Sequence, residues 1–217
     1  MSRPPHPDSW RDIARDATRL GASRFAAPLI VVALMWLTFF AQQIFDPWIW
    51  GTFGIEQGAW LRPWTWVTSV FPHANWRHLM SNTPFMLILG LIVGAEGWRR
   101  WLGVTLWGLL GAGLLVTLLA PARSITAGAS GLVFTYLGYL IAVAITERTW
   151  RVKIVRIVVA AVLLSSYSYV IFSGFIPSGN VSWQGHLGGF IGGIVAAIIL
   201  EARENVPIGE RLSRLDP

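Results

Sequence analysis

The sequence predicts an all-α polytopic membrane protein, six transmembrane helices in one bundle with both termini cytoplasmic, and three observations predict it. Hydrophobic residues fill 54% of the 217 positions and charged residues only 13%, a balance too apolar for a soluble domain of this size. Apolar runs long enough to cross a hydrocarbon core, about 20 residues each, recur at Phe25–Phe45, His78–Gly97, Trp101–Ala120, Gly128–Thr146, Ile154–Phe175 and Gly185–Leu200. The connecting segments alternate in positive charge, which cytoplasmic segments retain. Arg3 to Arg24, Arg99 and Arg100, Arg148 to Arg156, and Arg203 to Arg214 fall on one side, against Arg62, Arg77 and Arg123 on the other. This asymmetry accounts for the net charge of +6, so no nucleic-acid partner is inferred.

Residues 1–24 form a cytoplasmic tail in which Trp10, Ile13, Ala17 and Leu20 recur at helical spacing among Arg11, Asp12, Arg15, Asp16 and Arg19. That pattern suits a short helix on the membrane surface, with a mobile polar tail as the alternative. The tail lacks the apolar core of a cleavable signal, which makes the first span the insertion signal. Residues 25–201 form one helical membrane domain without internal repeats, and 202–217 a second cytoplasmic tail. Between the first two spans, Asp46 to Arg77 is a long outer segment carrying Trp48, Trp50, Trp60, Trp64, Trp66 and Trp76. Tryptophan favours the headgroup level, so this loop is expected to lie half in the interface. The absence of cysteine removes disulfide and thiol chemistry.

Polar groups inside apolar spans must be satisfied where no water is offered, and they mark function. His78 and Asn82 open the second span, Ser130 the fourth and His186 the sixth, all within about two turns of the outer end. No Asp lies in any span, and the one Glu there is Glu96 at the inner end of the second. Gly131, Thr135, Gly138 and Ala142 form a stripe on span four, and span six offers Gly185, Gly188, Gly189, Gly192 and Gly193. Small residues let membrane helices approach closely, so spans four and six are expected to cross tightly and bring the Ser130 hydroxyl to the His186 imidazole. Serine beside histidine is a minimal activated nucleophile. His78 and Asn82, one turn apart, can offer side-chain donors to an oxyanion, and the free backbone N–H groups near Ala129 and Ser130 can add to them.

Taken together, FPHANWRHLMSN, GASGLVF and GHLGGFIGG resemble the rhomboid intramembrane serine proteases in motif, order and span. The resemblance implies Ser130 as nucleophile and His186 as general base, a dyad without aspartate. It implies oxyanion stabilisation by His78, Asn82 and the Ala129 and Ser130 backbone, with His73, Gly128, Gly131, Phe134 and Gly189 in support. Phe134 stands where many relatives have a tyrosine that packs on the histidine. The sequence RPWTWVTS departs from the family, because Thr65 stands where relatives carry an arginine and Arg62 is displaced upstream. The resemblance further implies membrane-anchored protein substrates cut in or near their spans, entry beside span five with Tyr167, Tyr169 and Phe172, and a cytoplasmic-membrane location with the site opening to the extracytoplasmic side. No cofactor or metal is expected. His73, His78 and His186 offer nitrogen ligands in principle, but a zinc reading lacks an H-E-x-x-H base and leaves Ser130 without a role. The alternative from another class is a catalytically silent rhomboid-like protein that binds client spans.

Overall fold

The computed structural model describes residues 7–46, 48–146, 172–176 and 181–204, with isolated helical positions at 154, 157, 158, 161, 162 and 165. In chain order the elements are α1 (Pro7–Phe45), α2 (Trp48–Phe53), β1 (Ile55–Glu56), α3 (Thr65–Thr68), α4 (Trp76–Ala95), α5 (Trp98–Leu119), β2 (Ile125–Thr126), α6 (Ser130–Thr146) and α7 (Trp183–Glu204). Among the described residues, four helices are long and apolar enough to cross a membrane, Arg24–Phe45, Trp76–Ala95, Trp98–Leu119 and Trp183–Glu201, and Ser130–Thr146 is a shorter apolar helix. The span expected at Ile154–Phe175, with Tyr167 and Tyr169, lies largely outside the described residues. Leu37, Phe40, Ile44, Leu106 and Leu118 are exposed on the outer faces of α1 and α5. Such apolar surface fits lipid and not water, and the protein is a multi-pass membrane protein.

Helix ends depart from the apolar runs because caps lie outside them. Helix α4 starts at Trp76, two residues before the apolar run, where Asn75 Oδ1 accepts from His78 N–H at 2.9 Å, an N-cap that satisfies an otherwise orphan donor. Gly97, at φ +116°, turns the chain between α4 and α5 in a conformation that only glycine adopts readily. Helix α1 runs unbroken from Pro7 to Phe45, so residue 24 marks a change of composition and not of secondary structure.

Glycine organises the packing of α7. Gly189 and Gly193 face the Gly131 and Thr135 carbonyls of α6, whereas Gly188 and Gly192 face Gly111 and Trp107 of α5. From the sequence alone all these glycines are expected on the crossing with span four. The structure corrects this: positions one residue apart point about 100° apart around a helix, so α7 uses two glycine faces and is wedged between α5 and α6. Across the α5–α6 contact, Gly108 lies against Thr135.

The long segment after α1 is fastened to the bundle. β1 pairs antiparallel with β2, Ile55 opposite Thr126 and Glu56 opposite Ile125. Trp66 packs on Gly113 and donates from Nε1 to Thr117 Oγ1 at 3.1 Å. Arg62 donates to the Gly51 and Thr52 carbonyls at 2.6 and 2.9 Å and lies 3.7 Å from a Glu56 carboxylate oxygen. Thr65 is buried and donates to the Arg62 carbonyl at 2.7 Å. An arginine thus ties this loop together from position 62, with Thr65 holding the turn that presents it. Trp48, Trp60, Trp64 and Trp76 are at least half-exposed.

At the opposite end of the bundle from Ser130, Tyr139 donates to Glu96 at 2.5 Å, and Arg100 donates to Tyr139 Oη and to Glu201 at 3.0 Å each. Three helix ends and the middle of α6 meet in this network, each charge having an opposite partner, as partly buried charges require.

Candidate active site

Helix α6 begins at Ser130, and the chain reaches it through Gly128, whose φ is +131°. A side chain at Gly128 would run into the His78 ring, whose Nε2 would lie 2.9 Å from a Cβ there. Glycine is therefore needed twice at this position, for its dihedral and for the approach of the imidazole. Gly128 N–H donates to the Ser69 carbonyl at 2.7 Å, which fixes the turn that presents Ser130.

The Ser130 hydroxyl lies 2.8 Å from His186 Nε2, a hydrogen bond bridging positions 56 apart in sequence. The Phe134 ring, one turn along α6, stacks on the His186 imidazole with centroids 4.3 Å apart and planes 13° apart. His186 Nδ1 lies 2.7 Å from the Gly174 carbonyl oxygen. A hydroxyl paired with an imidazole in this way can act as a nucleophile with its base.

On the facing side, His78 and Asn82 border the same cavity as Ser130 and His186, about 1110 Å³ in volume. Asn82 is buried and donates one amide hydrogen to the His78 carbonyl at 3.1 Å, which leaves its second amide hydrogen for another acceptor. Ala129 N–H points at His73 Nε2, 3.4 Å away, and so is already engaged inside the protein. Ser130 N–H is at the helix start, where the helix supplies no acceptor. No Asp or Glu lines the cavity, and Arg77 is its one formal cation among the described residues.

His73 is fully buried in the loop before α4. Its Nδ1 bonds the Phe71 carbonyl at 2.9 Å, and its ring lies edge-on to His78 with centroids 5.0 Å apart. Burial, and secondarily the neighbouring His78, push its pKa down to about 4 against the opposing bond to Phe71. The backbone of His73 is held by Gln42 of α1, which donates to its carbonyl at 3.0 Å and accepts from its N–H at 3.2 Å. Gln42 stands outside the polar set singled out from the sequence, although it carries the same signal, a polar side chain near the end of an apolar span.

Residues 61–203 match the family model described as the Rhomboid domain. The chain belongs to the rhomboid family. It is 38% identical over 144 residues to an uncharacterized protein of Mycobacterium tuberculosis, covering 61% of this chain and 57% of that protein. It is 32% identical over 146 residues to Rhomboid-like protein 11, chloroplastic, of Arabidopsis thaliana, covering 62% of this chain and 51% of the relative. With Rhomboid protease GluP of Bacillus subtilis it shares 30% identity over 159 residues, covering 73% of this chain and 29% of the relative. The chain thus spans little more than half the length of the first two relatives and less of the third.

Within this rhomboid the structure brings Ser130, His186, Phe134, His78, Asn82 and Gly128 around one cavity, with His73 behind it. Gly131 and Gly189 lie at the α6–α7 crossing one position and one turn from the pair. His73, His78 and His186 do not converge: among the described residues no three His, Asp or Glu side chains are grouped to hold a metal ion.

Proposed function

We propose that this chain is an intramembrane serine endopeptidase that cleaves membrane-anchored proteins in or near their spans. The observation that carries the proposal is the 2.8 Å contact between Ser130 Oγ and His186 Nε2 at a cavity that His78 and Asn82 also line. His186 takes the serine proton, Ser130 Oγ attacks the substrate carbonyl, and the acyl-enzyme is hydrolysed by water admitted through the cavity. His78, the free hydrogen of the Asn82 amide and Ser130 N–H stabilise the oxyanion. The charge asymmetry of the sequence supports an orientation with both termini cytoplasmic and the cavity opening to the extracytoplasmic side. A helical substrate must unwind to expose its peptide bond, so helix-weakening residues are expected near the cut.

The test is incubation of the purified protein in detergent with a membrane-anchored reporter, with and without a metal chelator, beside Ser130→Ala. Cleavage that survives the chelator and disappears with Ser130→Ala, together with labelling of Ser130 by a serine-reactive phosphonate, is the expected result. A folded protein that binds the reporter but neither cuts it nor takes the label is the silent, client-binding relative instead. Chelator-sensitive cleavage without labelling would restore the zinc reading.

A further inference from the structure

A dyad lacks the carboxylate that, in a triad, holds the histidine in the right tautomer and orientation. Among the described residues no Asp or Glu lines this cavity, yet His186 must still present a bare nitrogen to Ser130. The stacked Phe134 ring fixes the plane of the imidazole but cannot select its rotation. A half-turn about Cβ–Cγ leaves the stack intact and exchanges nitrogen for carbon at both contact points.

The geometry points to the main-chain carbonyl of Gly174 as the third member of the site, a positioning group that acts through His186; this assignment rests on the protease reading. The oxygen lies 2.7 Å from His186 Nδ1, and a carbonyl can only accept. Nδ1 therefore carries the proton. In the neutral ring Nε2 is then bare and receives the Ser130 hydroxyl hydrogen across 2.8 Å. When His186 takes that proton, the same carbonyl faces the imidazolium and stabilises it, as a carboxylate does more strongly elsewhere.

Local structure around position 174 serves this contact. A Cβ on Gly174 would meet the Phe134 ring and lie 2.9 Å from His186 Nδ1, so a side chain there would drive the base off the oxygen. The carbonyl is held from both sides in sequence. Phe175 N–H bonds the Phe172 carbonyl and Ile176 N–H the Ser173 carbonyl, at 3.1 and 3.2 Å. The Phe175 ring lies edge-on to Phe134 at 4.8 Å and to Phe190 at 5.7 Å, which anchors the turn to α6 and α7. The site thus draws on three chain segments: α6 for the nucleophile, α7 for the base, and residues 172–176 for the group that orients it.

A backbone acceptor is tested by changing the backbone. Stop-codon suppression with phenyllactic acid at position 175 turns the Gly174–Phe175 amide into an ester, whose carbonyl is a poorer acceptor. It also removes the Phe175 N–H, so the matching ester at position 176, which removes the Ile176 N–H, is the control. Two readouts are taken on full-length protein in detergent: the rate of phosphonate labelling at Ser130, and the 15N spectrum of histidine-labelled protein, with His186→Ala to assign the signal. The wild type is expected to show His186 with a pyrrole-type Nδ1 and a pyridine-type Nε2. The 175 ester should mix the tautomers and slow labelling by about tenfold, the effect of weakening one hydrogen bond, while the 176 ester changes neither. An unaltered tautomer in the 175 ester, or equal slowing by both esters, would overturn the assignment. A wild type that labels normally with the proton on Nε2 would also overturn it and leave the protease reading standing. A wild type with the proton on Nδ1 that does not label would instead overturn the protease reading, and with it the catalytic meaning of the bond.

Discussion

Replacing Gly189 by alanine tests whether the glycine crossing sets the catalytic distance. A Cβ at this position would collide with the Gly131 carbonyl oxygen and would lie 3.0 Å from both the Gly131 carbonyl carbon and Thr135 Oγ1. The first obstacle is helix backbone, which has no rotamer to yield. Packed helices do not compress, so α7 must withdraw from α6 by roughly 1 Å to reach ordinary contact, a shift sufficient to cost about 10²-fold in rate. Ser130 adjoins Gly131 and His186 lies one turn before Gly189, so the displacement passes directly into their 2.8 Å hydrogen bond and stretches it past useful range. Overpacking of this kind also destabilises by about 1–3 kcal/mol. The assay is the rate of phosphonate labelling per folded molecule, with a melting curve on the same preparation. Gly103→Ala is the control, because a Cβ there would meet only the two Leu200 methyl carbons, Cδ1 at 3.3 Å and Cδ2 at 3.5 Å, the end of a side chain that can move. Wild-type labelling by folded Gly189→Ala would refute the argument.

Asn82→Ala should lower kcat by about 10²-fold with KM little changed, as for loss of one oxyanion donor; an unchanged kcat per folded molecule removes it from the site. For His73, pushed from 6.5 down to about 4 by burial, the unfolded chain binds a proton in this interval that the folded protein does not. Its contribution is therefore complete above pH 6.5 and falls away towards pH 4, about 3 kcal/mol in all. Melting curves across that interval should fall more steeply for the wild type than for His73→Asn, and equal slopes would contradict the shift. Tyr139→Phe removes the hydroxyl between Glu96 and Arg100 and should cost about 1–3 kcal/mol of stability while labelling per folded molecule is unchanged, because this network is at the other end of the bundle.

Several features of the fold were open to sequence reading because each left a mark in residue type. Long apolar runs mark helices, and small residues at helical spacing marked the approach of Ser130 to His186. The division of α7 into two glycine faces was harder to read, because Gly188 and Gly189 are neighbours in sequence and their separation appears only once both flanking helices are in place. The β1–β2 pairing spans two residues per strand, too few to show an alternating pattern. Arg62 acts through backbone carbonyls of Gly51 and Thr52, and Gly174 offers a carbonyl of its own. Acceptors of that kind exist at every position, so no residue type signals them. Gln42 was legible by its polarity, but its partner is the His73 backbone, which only the folded loop brings within reach.

The wedging of α7 between α5 and α6 also orders events during synthesis. Ser130 is made first and His186 follows 56 positions later on the helix that must enter between two others. Until α7 has docked, Ser130 lacks its hydrogen-bond partner His186 and the cavity lacks a wall. On the protease reading, a nascent or stalled chain without α7 would be inert toward the other half-assembled membrane proteins around it. On that reading, proposed above, activity becomes available only when α7 is in place.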